Sequence, residues 1–112
     1  GNFAAAAGLQ EMLLQSYSGT IRLFPAIPAR WRDVSFHGLR AEGAFVVSAI
    51  RMDGLVHSVE ITAETGGRLC LENPFGEGGY SLSGARTKDV MSRSGELVLD
   101  MSRGQTVTFT RR

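Results

Sequence analysis

The chain is short of several things, and each shortage excludes a class of function. It has one cysteine, Cys70, in 112 residues. That rules out an internal disulfide and a cysteine-based metal centre. It has two histidines, His37 and His57, too few to ligate a metal without carboxylate help. No apolar run approaches the ~20 residues of a membrane span, and the start lacks the basic region and apolar core of a signal peptide. Net charge is only +1, from 12 basic and 11 acidic residues. The basic residues are scattered, and Arg111-Arg112 reads as a solvated end. Neither nucleic acid nor a membrane is therefore expected as a partner.

What is abundant is glycine, with 14 residues placed between short apolar runs. That pattern marks a turn-rich β protein rather than a disordered one. The exception is the beginning. Residues 3–17 combine Ala, Leu, Met, Gln and Glu, all good helix formers, and Gly19 follows as a stop. Ala5, Leu9, Met12 and Leu13 recur at helical spacing and make an apolar stripe. An isolated helix of this length is marginal in water, so the stripe calls for a partner surface.

Beyond Gly19 the period changes to two. Thr20–Phe24 and Val34–Leu39 are the first alternating runs. Pro25 and Pro28 hold the stretch between them extended. Ala44–Arg51 and Leu55–Ala63 flank Asp53-Gly54, a dipeptide that favours a type I′ hairpin. Phe45, Val47 and Ala49 share one face, and Leu55, His57, Val59, Ile61 and Ala63 are expected on the matching one. Arg68–Glu72 follows, with Cys70 read as a small buried hydrophobe. After a glycine-rich loop at 75–79 come Tyr80–Ser83, Thr87–Ser92, Glu96–Met101 and Gln105–Thr110. Strands about ten residues apart, with a turn signal at each junction, predict a small antiparallel β-sandwich preceded by one N-terminal α-helix. The change of period puts the domain boundary at residues 18 and 19.

The order of these motifs resembles glycoside hydrolase family 95, the α-L-fucosidases. The resemblance rests on Gly1-Asn2-Phe3, Ala7–Ser16, Ile21–Pro28 with Trp31, Gly38–Val47 and the Asp53-Gly54 hairpin. It continues through Leu71–Phe75 and Gly104–Phe109. It departs at Ala4 and Ala5, where the family carries glycines. It implies that residues 1–18 are the last helix of an (α/α)6 catalytic barrel and residues 19–112 a C-terminal β-domain. It implies a parent that removes terminal α-L-fucosyl groups and is exported. The family's catalytic aspartate immediately precedes the Gly-Asn-Phe motif, so the expectation is no catalytic residue, metal or cofactor among these 112 residues.

The residues themselves agree with that expectation. Glycoside hydrolysis needs two carboxyl groups across a cleft, and no acidic pair stands out. The glycine loop lacks the lysine and strand–loop–helix context of a phosphate loop. Three aromatic residues, Trp31, Phe75 and Tyr80, are the candidates for weak glycan stacking. The partners expected are the catalytic barrel, through Ala5, Leu9, Met12 and Leu13, with glycan contact or a dimer through the helix as the alternatives.

Overall fold

A computed structural model describes residues 2–112 of the chain, with side chains described from Gly8 onward. One helix, α1 (Asn2–Leu13), leads into two short strands, β1 (Leu14–Gln15) and β2 (Arg22–Leu23). The long strands are β3 (Val34–Ala41), β4 (Phe45–Met52) and β5 (Leu55–Ala63). They are followed by β6 (Gly67–Glu72), β7 (Tyr80–Ser83), β8 (Met91–Arg93), β9 (Glu96–Met101) and β10 (Thr106–Arg111). A five-stranded antiparallel sheet has the order β3-β4-β5-β10-β7, and a three-stranded one the order β6-β9-β8. The chain is thus mainly β, with one short N-terminal helix.

Strand chemistry explains the two layers. In β4 the inward positions Phe45, Val47 and Ala49 are buried. Val59, Ile61 and Ala63 of β5, and Val107 and Phe109 of β10, are fully closed off from solvent. From the smaller sheet, Leu69, Leu71, Leu97, Leu99 and Met101 join the same contiguous cluster. Alternation puts these residues on one face of each sheet, so the layers can share one core. The expected I′ hairpin is present, with Asp53 and Gly54 both at positive φ (52° and 79°).

Several expectations are corrected. The helix ends at Leu13 rather than Tyr17, because Leu14 and Gln15 pair with Leu23 and Arg22. Tertiary pairing overrides helix propensity there. The first alternating run shrinks to β2 plus Ile21, since Phe24 turns into the left-handed region (φ 51°) ahead of Pro25. The third correction lies in β5. Arg51 pairs with Val56 but Ile50 pairs with Ser58, which leaves His57 as the extra residue of a bulge. The bulge reverses the phase, so Val56 is buried while Leu55 is 55% exposed. Cys70 also differs from the buried reading. It alternates with the inward Leu69 and Leu71, so it faces outward and is half-buried.

The smaller sheet is too narrow to cover the larger one alone. Ile21 makes up part of the width. Its N–H donates to the Cys70 carbonyl (2.8 Å) and its carbonyl accepts from Glu72 N–H (2.9 Å), so it lies beside β6. Leu14, Ile21 and Phe24 are all buried in the shared core. The Phe24 N–H donates to the Leu13 carbonyl (2.7 Å), which ties the end of α1 to the sandwich.

Two glycines test this account. Gly84, at φ +85°, sits so close to β10 that an added Cβ would lie 2.0 Å from the Thr106 carbonyl oxygen. Gly95, at φ +77°, has open space around it. Gly95→Ala should therefore cost only the left-handed backbone strain, about 1–2 kcal/mol. Gly84→Ala should cost clearly more, because backbone must move. Urea unfolding of the two variants checks this, and equal losses would contradict the packing described.

Candidate functional site

The inner faces of both sheets are consumed by the core, so chemistry has to be sought on the outer faces and at the rims. On the five-stranded sheet the outward positions form rows of hydroxyls. One row runs Ser48, Glu60, Thr108, Ser83 across β4, β5, β10 and β7. The next runs Ser35, Ile50, Ser58, Thr110 and Ser81, beginning on β3. Glu60 and Ile50 are the two positions that interrupt the hydroxyls, and both are exposed.

Two bulges shape this face, one on each side of β4. In β3, Phe36 pairs with Ala49 and Leu39 with Val47, so His37 and Gly38 together oppose Ser48. Gly38 takes φ 70° there. Its N–H donates to Ser48 Oγ (2.9 Å), and the same oxygen lies 3.1 Å from His37 Nδ1. The bulge at His57 lies on the other flank. Bulges bend a strand and raise its twist, and between the two the outer face is cupped into a groove of about 560 Å³. Ser35, Ser48, Ser58 and Thr108 contribute to its lining, with Glu60 as its one carboxylate. A smaller hollow of about 250 Å³ adjoins it, shares Ser35 and Ile50, and adds Asp33, Arg51 and Met52. Among the described residues Glu60 has no ion-pair or hydrogen-bond partner.

The three candidate aromatics do not meet at one surface. Phe75 is 2% exposed. Its ring centroid stands 6.5 Å from Phe109 and 5.6 Å from Tyr80, and Tyr80 lies edge-on to Phe109 at 5.2 Å. The Phe75 ring is thus core and has no open face to offer a sugar. Tyr80 is half-buried in the same cluster. Trp31, also half-buried, lies on the loop before β3, where its carbonyl accepts from Arg51 Nη1. It enters none of the aromatic pairs among the described residues.

Arg111 fastens the loop that carries Phe75. Its Nε donates to the Val56 carbonyl (2.7 Å), Nη2 to Pro74 (2.8 Å) and Nη1 to Phe75 (3.3 Å). The guanidinium also lies 5.6 Å from the Phe75 ring centroid. These carbonyls occupy all three nitrogens of the fork, so the arginine read as part of a solvated end is a structural clamp. On the smaller sheet, Arg68 and Asp100 form an exposed pair (2.9 Å). The hydrogen bond from Arg68 holds the Asp100 carboxyl below its ordinary range.

Along α1, Leu9 is 45% exposed, and Met12 and Leu13 are half-buried. Leu13 packs against the core cluster. Ala5 lies outside the described side chains. Among the described residues no group of three His, Cys, Asp or Glu is placed to hold a metal, and no helix is long and apolar enough to cross a membrane.

Sequence reading missed the groove because its residues are ordinary strand serines and threonines. Gly38 was the one available signal, since a glycine inside an alternating run points to a bulge.

With that geometry in place, comparison with known proteins gives the class. Residues 15–109 match the C-terminal domain of glycoside hydrolase family 95, and the chain belongs to that family. Among individual proteins it is similar to an α-L-fucosidase 2 of Arabidopsis thaliana, 44% identical over 54 residues. The shared stretch takes in 47% of this chain and 6% of that relative's length.

Two outcomes follow from the aromatic cluster. Phe75→Ala should lower unfolding free energy by about 3–5 kcal/mol; a loss below 1 kcal/mol, on the order of a surface change, would contradict its core placement. Burial pushes the Tyr80 phenol above its ordinary value of 10.0. The folded chain then holds that proton more tightly than the unfolded one. The resulting stabilisation is fully present below about pH 10 and is lost as pH rises through the higher folded value. Thermal melts across that range should fall more steeply for the wild type than for Tyr80→Phe. Parallel curves would contradict the burial argument.

Proposed function

We propose that this chain is a non-catalytic C-terminal accessory domain of an α-L-fucosidase-like glycoside hydrolase, and that it braces the catalytic barrel through α1. The observation that carries the reading is the family match to a C-terminal domain, beginning at residue 15, directly after a helix with an exposed apolar side. The name of the Arabidopsis relative supports the substrate class, terminal α-L-fucosyl groups.

The physical case lies at the junction. A helix of 12 residues has little stability of its own. Here its last turn is fixed to the sandwich by the Phe24–Leu13 hydrogen bond and the Leu14–Leu23 pair. Leu9 is 45% exposed and stands outside the core cluster, which makes it the anchor for a partner surface. A barrel wall that covers Leu9 and Met12 gains roughly 1.5–3 kcal/mol for each side chain it fully buries. In this reading α1 reaches into the barrel, and the chain from Leu14 onward, with Leu14 itself in the sandwich core, is the brace.

The test uses the longer enzyme of which this domain would be the end. Leu9→Glu and Met12→Glu should lower its melting temperature and its turnover of an aryl α-L-fucoside, while leaving the melting of the 112-residue chain unchanged. An unaltered enzyme would overturn the bracing role. Turnover of the aryl fucoside by the 112-residue chain alone would overturn the non-catalytic role. A concentration-dependent dimer in light scattering, abolished by Leu9→Glu, would reassign the stripe to a second copy of the chain.

A further inference from the structure

We infer that the outer face of the five-stranded sheet is a binding track for a neutral oligosaccharide, laid over β3, β4 and β5 with Glu60 as its central acceptor. The inference stands whether or not α1 braces a barrel, because no residue of α1 lines the track.

Three features select the ligand class. The first is the polar inventory. Ser58 and Thr108 can each donate one hydrogen bond and accept others, Ser48 Oγ is already met by the Gly38 N–H and by His37 Nδ1, and Glu60 only accepts. A sugar hydroxyl likewise both donates and accepts, so a pair of neighbouring hydroxyls can donate to the two Glu60 oxygens and take a bond from a Ser or Thr. An apolar ligand would strip water from these groups and return nothing, which is costly.

The second feature is charge. The larger groove has one carboxylate and no lysine or arginine in its lining. In the adjoining hollow the Arg51 guanidinium is turned to the Trp31 carbonyl, and Asp33 Oδ1 accepts from the Asp53 N–H (2.8 Å). An anionic glycan would meet Glu60 with no lysine or arginine to compensate, only the His37 imidazole across Ser48 from it. A single exposed carboxylate flanked by hydroxyls is also a weak cation site, since an exposed ion pair contributes only about 0.2–1 kcal/mol.

The third feature is shape. The groove and the hollow share Ser35 and Ile50, so they make one continuous path from the β3 bulge towards the β4–β5 hairpin. Ile50 and Met52, 42% and 45% exposed, give that path an aliphatic strip against which the C–H face of a sugar ring can lie. The larger groove has the volume of an ordinary small-ligand site, and the hollow extends it, so more than one sugar unit is accommodated. Glu60, with no partner among the described residues, is free to accept from the ligand.

The experiment is an amide chemical-shift titration of the 112-residue chain. The probes are L-fucose, glucose, a neutral glucose tetrasaccharide and a neutral fucosylated tetrasaccharide. Oligogalacturonate serves as the anionic control and a chitosan oligomer as the cationic one. The expected result is shift changes confined to Ser48, Ile50, Glu60 and their neighbours, with tighter binding by at least one tetrasaccharide than by its monosaccharides. Glu60→Gln should weaken that binding about tenfold, as loss of a charge-assisted hydrogen bond does, and Ser58→Val should weaken it too. Both positions are outward-facing, so the variants' own amide spectra report whether the fold is kept. The inference is overturned by an unmoved groove across the neutral series, by shifts centred on Trp31 or Tyr80, by binding unaffected in Glu60→Gln, or by preference for either charged control.

Discussion

The structure depends on one mismatch: a five-stranded sheet is closed by a three-stranded one, and the missing width is filled from the amino-terminal segment. Ile21 takes the place of a further strand beside β6, and Leu14 and Phe24 close the core around it. This has a mechanical consequence. The segment that leaves α1 is not a linker but a part of the core, so the direction in which the helix departs is set by buried side chains. Phe24 shows how tightly. It is a bulky residue at positive φ, a conformation with a cost, and it is buried with its ring centroid 5.4 Å from Phe36. A helix fixed in direction yet bare at Leu9 is what a brace requires, and a flexible tether would serve poorly.

The same mismatch decides what is free for other work. With both inner faces consumed, the wide sheet has a whole outer face in solvent. Two bulges then break its flatness on either side of β4. They cup the face and, at Ser48, bring a hydroxyl, an imidazole and a backbone N–H together. The smaller sheet has no such device. Its outer face carries surface ion pairs such as Arg68–Asp100, which contribute little to stability when exposed. The proposed bracing and binding therefore fall on separate surfaces, the helix for one and the wide sheet for the other.

Much of the fold was legible in the residues, and the parts that were not have definite causes. Asp53-Gly54 and the alternation of Leu55–Ala63 placed the central hairpin, because turn chemistry and a period of two are local signals. The limits of α1 were not legible past Leu13, because Gln15 is as good a helix former as its neighbours and only pairing with Arg22 takes it out. His57 appeared to be in phase with Val59, and nothing local announces the extra residue that puts it out. Cys70 was assigned to the core by its neighbours Leu69 and Leu71, when their alternation placed it outside. The candidate site was the least legible part. Aromatics attracted the sequence argument, and Phe75 turned out to be core held by Arg111. Ser48, Glu60 and Thr108 come from three strands, and only register brings them into one row with Ser58 in the next.

Native-state hydrogen exchange on the 112-residue chain reads the central claim directly. The account requires strong protection along β4, β5, β9 and β10 and at the amides of Ile21 and Phe24, with rapid exchange along α1 from Leu9 to Met12, where the helix lacks a partner. Protection of those helical amides at the level of β5 would contradict it, since the helix would then be stable without any surface to lean on.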